Sequence, residues 1–272
     1  MITFPNCKIN LGLNILSKNE DGFHDIETCF FPVKFHDILE INPSQKNETQ
    51  LTVSGISAGE IKNNICLKAY DLIKKNYPQL PAITMHLHKT IPLGAGLGGG
   101  SADGIAALKL INTIFKLNIA EAILFGYALR LGSDCPFFLL NRPCLASGRG
   151  EILEPLPIDL SGYKIIIVNP GIHSDTAEAF KNITPVIPAK RIKEIIRQPM
   201  ETWKKELTND FEKSIFNKFP AIRKIKEYLY EGGATYASLS GSGSSVYGIF
   251  EKNSVSDHSM HPDYFYKIID AN

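Results

Sequence analysis

The sequence predicts an α+β protein that consists of two α/β sandwiches with a ligand-binding cleft between them. Three features of the 272 residues lead to this prediction. Strand-like segments precede helical ones in both halves, a proline-containing stretch separates the halves, and a glycine-rich loop joins a strand to a helix. The separating stretch is EPLPIDLSG, which places one domain at 1–157 and the other at 158–272. An apolar content of 44% is enough for two modest cores.

The first half begins with strands. In CKINLGLNI apolar side chains alternate with Lys8 and Asn10, and this period of two predicts a half-buried strand. A turn follows, then a returning strand in FHDIETCFFPVKF, and HDILEIN and TQLTVSG predict two more strands of an antiparallel sheet. The apolar spacing in NNICLKAYDLIKKNYP predicts an amphipathic helix that ends at Pro78. AITMHLH predicts the strand that leads into the glycine loop.

Helices follow that loop. SADGIAALKLINTIFKLN predicts one helix, and a second ends at Leu131 with Gly132 as a left-handed cap. GSDCPFFL predicts a short helix or turn, and PCLASGRGEIL a strand. In the second half YKIIIVNPG predicts a buried strand, SDTAEAFKNI a short helix and 189–231 mainly helix. ATYASLSGSGSSVYGIF predicts a pair of strands around a second glycine–serine loop, and PDYFYKIID a last strand.

Composition excludes several classes of function. Lys+Arg 29 against Asp+Glu 28 argues against a nucleic acid or an anionic membrane as the main partner. The five cysteines include no CxxC pair, which predicts reduced thiols. No signal peptide or membrane-length apolar run is evident, so we expect a cytoplasmic monomer or homodimer. His86 and His88 share a strand face without a third ligand, so no metal ligand is assigned.

The glycine loop PLGAGLGGGSAD has five glycines within seven positions. Such a loop can adopt positive φ angles and lets a ligand approach its backbone. A helix that starts at Ser101 points free N–H groups at that ligand, so the loop predicts a phosphate site. A Walker A loop needs a lysine after the last glycine, and a dinucleotide fold needs an acidic residue at a strand end about 20 residues on. Neither is present, and a simple glycine-rich turn is the alternative.

The string from Pro92 to Ser101 resembles the phosphate loop of the GHMP small-molecule kinases, which include homoserine and mevalonate kinases. The resemblance implies an N-terminal ribosomal-protein-S5-domain-2-like domain, a C-terminal ferredoxin-like domain and an active site in the cleft. It implies ATP and Mg²⁺ as well, although Ala102 stands where a second serine is common. The expected ATP contacts are Asn64, Pro92, Leu93, Gly94, Ala95, Gly96, Leu97, Gly98, Gly99, Gly100, Ser101 and Ala102. A second glycine loop, with Gly241, Ser242 and Gly243, resembles the third family motif; a plain hairpin turn is its alternative.

Phosphoryl transfer to an alcohol needs a phosphate cradle, positive charge and a group that orients or deprotonates the hydroxyl. CKINLGL and GSDCPFF resemble two family segments, which implies that Lys8 lowers the proton affinity of the hydroxyl and Asp134 is the general base. A carboxylate with a pKa of about 4 needs such a partner, so we expect the two side chains to meet. The alternatives are a solvated lysine and a helix-capping aspartate.

NEDGFH resembles a DGYH segment from one branch of the family, whose substrate carries a cytidine diphosphate group. Phe23 replaces the usual tyrosine, which retains stacking but loses a phenolic hydrogen bond. The resemblance implies substrate contacts from Asn10, Phe23 and His24. Further candidates are Phe30, Thr176 and Phe180, and for Phe30 and Phe180 a position in the core is the alternative. We therefore expect ATP-dependent phosphorylation of a small polyol that bears cytidine diphosphate. The alternatives are a homoserine- or mevalonate-type kinase and a nucleotide-binding module without turnover.

Overall fold

The computed structural model describes residues 1–56, 63–181, 183–254 and 261–271. The strands are β1 (Ile2–Thr3), β2 (Asn6–Lys18), β3 (His24–His36), β4 (Ile38–Pro43), β5 (Gln50–Gly55), β6 (Ile83–Lys89), β7 (Cys144–Ser147), β8 (Ile152–Pro155), β9 (Tyr163–Asn169), β10 (Tyr236–Leu239), β11 (Val246–Glu251) and β12 (Phe265–Asp270). The helices are α1 (Ile65–Asn76), α2 (Gly99–Ile114), α3 (Glu121–Leu131), α4 (Cys135–Leu140), α5 (Thr176–Lys181), α6 (Ile192–Ile195), α7 (Met200–Glu206), α8 (Phe211–Lys218) and α9 (Pro220–Glu231).

The chain forms two compact units that interleave in sequence. Unit 1 contains Met1–Cys7, Phe35–Leu93 and Gly98–Asn141, and unit 2 contains Lys8–Lys34, Gly94–Leu97 and the chain from Arg142 onwards. These units differ from the consecutive ranges 1–157 and 158–272, because the sheet that joins β2 and β3 to β7 and β8 lies largely in unit 2. The division of the chain into those two consecutive domains stays a prediction.

Unit 1 contains one sheet of order β1-β4-β6-β5 with α1 to α4. Strand β6 shows the period of two that the sequence predicts, with Ile83, Met85 and Leu87 buried. It runs antiparallel to β4 but parallel to β5. The prediction of a purely antiparallel sheet is therefore wrong, because β6 inserts between the two strands that precede it in sequence.

Unit 2 contains two sheets, of order β2-β3-β7-β8 and β10-β11-β9-β12. In the second sheet β9 pairs antiparallel with both β11 and β12. Helices α8 and α9 precede β10, and β10 and β11 form a hairpin. This succession gives the β-α-β-β part of the ferredoxin-like pattern. The apolar faces of α8 and α9 enter the core through Ile215, Ile222 and Ile225.

Two local predictions are wrong. Strand β2 was expected to be half buried, but Lys8, Asn10 and Asn14 on its polar face are 3%, 1% and 6% exposed. Other parts of unit 2 cover that face; for example, the Tyr247 hydroxyl donates to the carbonyl oxygen of Asn10 at 2.6 Å. Helix α3 ends at Leu131 as expected, but Gly132 has φ 162 and ψ 159. That backbone is extended, so Gly132 is not a left-handed cap.

The cysteines are all buried and free, as the sequence predicts: Cys7, Cys29, Cys66, Cys135 and Cys144. Burial is the main cause that raises the pKa of the Cys135 thiol to about 12 and that of Cys144 to about 11. It also raises the pKa values of Cys29 and Cys66. Across the described ranges, no helix has both the length and the apolarity needed to cross a bilayer.

Candidate functional site

The two glycine loops meet backbone to backbone inside unit 2. Gly96 has φ +79, and a Cβ on it would lie 1.8 Å from the carbonyl oxygen of Ser240. A Cβ on Gly243 would lie 2.1 Å from the carbonyl carbon of Ala95. The Ser240 hydroxyl donates to the Gly96 carbonyl at 2.9 Å. Only glycine permits this approach, so the second loop packs against the tip of the first, as the family motif implies.

Lys8 lies directly beneath that tip. Its ammonium donates to Asn10 Oδ1 at 2.5 Å and to the carbonyl oxygen of Gly96 at 3.0 Å. Asn10 Nδ2 in turn donates to the hydroxyl of Thr28 at 2.9 Å. Lys8 is 3% exposed, so the alternative of a solvated surface lysine is wrong. A buried cation that contacts the loop is the arrangement that phosphoryl transfer requires.

Phe30 supports Lys8 from the other side. The Lys8 ammonium lies 4.9 Å from the centroid of the Phe30 ring, within reach of a cation–π contact. Phe30 itself is 1% exposed. This burial matches the core alternative for Phe30, and its contact with a substrate base stays a prediction.

Helix α2 begins in unit 1 as an open anion site. Its N-cap, Gly98, is left-handed with φ 70, and no side chain caps the first turn. A Cβ on Gly99 would collide with Ile91 Cγ2 at 2.9 Å, whereas a Cβ on Gly100 would meet no described residue outside its own helix within 4 Å. Glycine is thus required at position 99 for packing. At position 100 it leaves room for a ligand beside the backbone N–H groups of the first turn of α2, which need an acceptor.

Asp134 lies beside that helix start. It occupies the N-cap position of α4, but its side chain makes no capping hydrogen bond, so the capping alternative is wrong. Helix α4 packs against α2, and the thiol of the next residue, Cys135, lies near the hydroxyl of Ser101 in the first turn of α2. Asp134 is therefore one residue from a contact with the helix that would receive phosphate. Lys8 belongs to unit 2 and Asp134 to unit 1, and their meeting at one hydroxyl stays a prediction.

A cavity of about 310 Å³ lies next to Gly100 in unit 1. Asn64, one of the predicted ATP contacts, lines it, and its Oδ1 accepts from the backbone N–H of Cys66 at 2.9 Å, which caps α1. The lining combines apolar side chains with polar ones, as nucleotide pockets commonly do. The full lining is Asn63, Asn64, Ile65, Leu87, Lys89, Leu93, Gly100 and Asp103.

Two of these residues belong to a buried cluster without a predicted role. Lys89 donates to Asp37 and, at 2.6 Å, to Asp103 Oδ2. All three side chains are at most 2% exposed. Part of this cluster could have been found from the sequence. Lys89 ends the strand before the glycine loop and Asp103 follows the loop by three residues, so the two charged side chains flank the loop. Asp37 is too far away in sequence to have been found.

The predicted substrate residues divide into two groups in unit 2. Phe23 is 54% exposed, and the Arg149 guanidinium lies 3.8 Å from its ring centroid while it pairs with Asp21. The sequence did not predict a role for Arg149, because its contacts with Phe23 and Asp21 become visible only in the folded chain. The rings of His24 and Phe180 stack at 4.8 Å, so no third ring fits between them.

Two further features complete the site. Burial, followed by the charge of Lys18, lowers the pKa of His24. Thr176 Oγ1 lies 2.9 Å from Ser242 Oγ, which joins α5 to the second glycine loop.

In the described part of the chain, no cluster of three or more His, Cys, Asp or Glu side chains offers a metal site.

Comparison with known proteins identifies the family. The sequence model for the GHMP kinases N terminal domain matches residues 64–142, and the model for the GHMP kinases C terminal domain matches residues 192–257. The 4-diphosphocytidyl-2-C-methyl-D-erythritol kinase of Cytophaga hutchinsonii is 49% identical over 252 residues, which are 92% of each chain. The protein of the same name from Bacteroides thetaiotaomicron is 49% identical over 254 residues, again 92% of each chain.

Solved structures agree. A crystal structure of 4-(cytidine 5'-diphospho)-2C-methyl-D-erythritol kinase matches with a TM-score of 0.83 at 26% identity and covers 99% of both chains. The mevalonate kinase of Methanococcus jannaschii matches with a TM-score of 0.70 at 14% identity, covers 100% of this chain and 98% of its own, and shares the fold alone. Two matched domain models and near-half identity over most of the length lead to one assignment. The chain belongs to the GHMP kinases, and within them to the family of the 4-diphosphocytidyl-2-C-methyl-D-erythritol kinases.

Proposed function

We propose that this protein transfers the γ-phosphoryl group of ATP to the 2-hydroxyl of 4-diphosphocytidyl-2-C-methyl-D-erythritol. The products are the 2-phosphate and ADP, in a step of the non-mevalonate route to isoprenoids. The observation that carries the proposal is the buried Lys8 ammonium, which donates to the tip of the phosphate loop and to Asn10. Relatives with 49% identity supply the choice of substrate through their names.

The triphosphate binds the loop and the start of α2. The open space at Gly100 and the uncapped first turn fit an anion there, and the adjoining cavity of about 310 Å³ fits the adenosine. Mg²⁺ would be held mainly by the phosphate oxygens of the nucleotide and by water, and it would neutralise charge on the transferred group. Within GGGSAD at the helix start, Ser101 is the residue with a hydroxyl group, since Ala102 occupies the next position.

The chain's own residues then act on the acceptor alcohol. Lys8 stabilises the negative charge that develops on the 2-oxygen as its proton leaves, and Asp134 accepts that proton. Asn10 holds Lys8 in position and presents its amide to the polyol. The alcohol attacks the γ-phosphorus in line, so no phosphoenzyme forms and the protein contributes mainly by orientation.

The cytidine binds near the turn that carries Phe23 and His24. The lowered pKa of His24 keeps its ring neutral at neutral pH, with one nitrogen to donate and one to accept. Phe180 stacks on one face of His24 and also packs on Phe211, so the pair offers a base the other face of His24. Phe23, half exposed, offers another such face.

A turnover screen tests the proposal. The protein is incubated with ATP, Mg²⁺ and each acceptor alcohol of the family, and ADP release is measured. Rapid turnover with the cytidine-linked polyol supports the proposal, whereas turnover with homoserine or mevalonate supports the runner-up. A non-catalytic module releases no ADP with any acceptor. Competition by CMP or CDP gives an independent check, and the cytoplasmic location and oligomeric state stay predictions.

A further inference from the structure

The buried cluster of Asp37, Lys89 and Asp103, here called the triad, contains one negative charge too many. Lys89 supplies one positive charge to two carboxylates, and all three side chains are nearly inaccessible. An uncompensated charge in such a place costs several kcal/mol, so a buried carboxyl group without enough partners keeps its proton. The triad must therefore hold a proton or meet a further donor.

The hydrogen bonds show which carboxyl carries the proton. Asp37 Oδ1 accepts from the backbone N–H groups of Thr90 at 2.6 Å and Ile91 at 2.9 Å, and its Oδ2 accepts from Lys89. Asp103 Oδ2 accepts from Lys89, but Oδ1 is buried and has no hydrogen-bond partner among the described residues. Three donors stabilise the ionised form of Asp37, whereas one stabilises that of Asp103.

The triad also lies at the junction that positions the phosphate loop. Asp37 fixes the backbone of Thr90 and Ile91, which lead straight into Pro92. A Cβ on Gly99, the first residue of α2, would lie 3.4 Å from Asp37 Oδ2. Asp103 belongs to the second turn of the same helix, and both it and Lys89 line the cavity beside Gly100.

We propose that Asp103 is a positioning residue whose buried proton keeps the triad neutral, so that the start of α2 retains its affinity for a nucleoside triphosphate. Loss of the proton places an extra negative charge beside the site for an anionic ligand and weakens binding. The inference rests on the proposed function for the identity of that ligand. The groups that face Asp103 are Lys89 from β6, Asp37 before β4 and the thiol of Cys66 from α1.

The electrostatics of the site agree with this geometry. Burial raises the pKa of Asp103 to about 7, Lys89 opposes that shift and Asp37 reinforces it. The proton is thus present below neutral pH and lost above it. A bound triphosphate raises the pKa of Asp103 further, by about one unit, as like charges do. By linkage, one unit corresponds to about a tenfold change in affinity between the two protonation states.

The test compares the wild type with Asp103→Asn, which keeps the shape but has no titrating proton. Binding of a non-hydrolysable ATP analogue is measured by calorimetry from about pH 6 to about pH 9, where the proposed proton is lost. The expected wild-type affinity falls about tenfold with rising pH, and that of the variant stays flat. A variant that retains the wild-type slope overturns the proposal. Asp210→Asn, which alters a partly buried carboxylate in unit 2, is the matched control and keeps the slope.

An infrared measurement separates this inference from the proposed function. The free wild-type protein should show a protonated-carboxyl band that disappears as the pH rises and is missing in Asp103→Asn. If the protein binds no nucleotide but shows this band, the proposed kinase function is wrong and the buried proton on Asp103 is supported. If the wild type lacks the band at about pH 6, the proposal of a buried proton is wrong. If Asp103→Asn fails to fold, Asp37→Asn replaces it. Loss of the Asp37 charge should move the band to lower pH, and an unmoved band contradicts the proposal.

Discussion

The ammonium of Lys8 and the amide oxygen of Asn10, two residues apart on one strand, are joined by a hydrogen bond of 2.5 Å inside the protein. This bond fixes a cation against the backbone of the phosphate loop, where Gly96 supplies a second acceptor at 3.0 Å. The rigid cation explains why a strand with an alternating pattern is buried on both faces. Lys8 on the polar face contacts the phosphate loop, and Asn14 on the same face donates to Asp210, so neither side chain faces the solvent.

Replacement of Lys8 by methionine should remove the charge that stabilises the reacting oxygen. We expect kcat to fall about 10²- to 10³-fold, as for other preorganised electrostatic groups, with a much smaller change in the KM for ATP. Steady-state kinetics measure both values. Lys34→Met, on an exposed position of β3, is the control and should retain wild-type kcat. Equal losses in the two variants would contradict the role of Lys8.

Asp134→Asn separates a base from a helix cap. Because the Asp134 side chain makes no capping hydrogen bond, the melting temperature should change little. Turnover should fall by about 10²- to 10⁴-fold, the usual contribution of a general base. Calorimetry and an ADP-release assay give the two quantities. A stable variant with near-normal turnover would remove Asp134 from the mechanism.

Two glycine substitutions should fail for different reasons. Gly96→Ala forces a side chain into a left-handed position 1.8 Å from the Ser240 carbonyl, so we expect loss of folding or of the loop contact. Gly100→Ala adds a Cβ with no described residue outside its own helix within 4 Å, and alanine favours a helix by up to about 1 kcal/mol. Gly100→Ala should therefore melt no earlier than the wild type, yet bind ATP more weakly. Unchanged ATP affinity would place the phosphates elsewhere.

Arg149→Ala should affect only the acceptor. Its guanidinium covers one face of Phe23 at 3.8 Å and leaves the exposed ring available on the other. An exposed cation–π contact contributes about 0.5–1 kcal/mol, so the KM for the acceptor should rise about two- to fivefold, with kcat and the KM for ATP unchanged. Arg142→Ala, near the start of the same hairpin, is the control. An equal rise in both variants would indicate a general charge effect.

The stability of the protein should respond to the Asp103 proton. The native pKa of about 7 exceeds the ordinary aspartate pKa of 3.8, so the folded state holds this proton more tightly than the unfolded state. The resulting stabilisation is complete below about pH 4 and is lost as the pH rises through about 7. Asp103→Asn avoids that loss, so its melting temperature relative to the wild type should increase with pH. A difference that is constant with pH would show that Asp103 does not titrate there.

The sequence predicts those parts of the molecule whose signals are local. Alternation in CKINLGLNI and AITMHLH identifies β2 and β6, and the crowded glycines identify a loop that needs close backbone contact. The role of Lys8 follows from its flanking motif, because polar residues on a strand face otherwise indicate solvent. The alternating pattern of β2 does not reveal that its polar face is buried, because that burial depends on the segments that pack over the strand.

The remaining features join residues that are distant in sequence. Lys89 and Asp37 are 52 residues apart, and Arg149 and Asp21 are 128 apart. A charged residue has no periodicity that reveals its partner, so single-sequence reasoning cannot pair them. The parallel pairing of β5 with β6 was missed for the same reason, since strand order is decided by the whole sheet.

The buried cysteines can serve as natural probes of local unfolding. Each thiol is inaccessible, and a raised pKa keeps those of Cys66 and Cys135 in unit 1 and of Cys29 and Cys144 in unit 2 in the unreactive, protonated form. An alkylating reagent therefore labels a cysteine only during a transient exposure of its surroundings. Mass spectrometry of the labelled peptides then gives separate opening rates for the two units without any engineered probe.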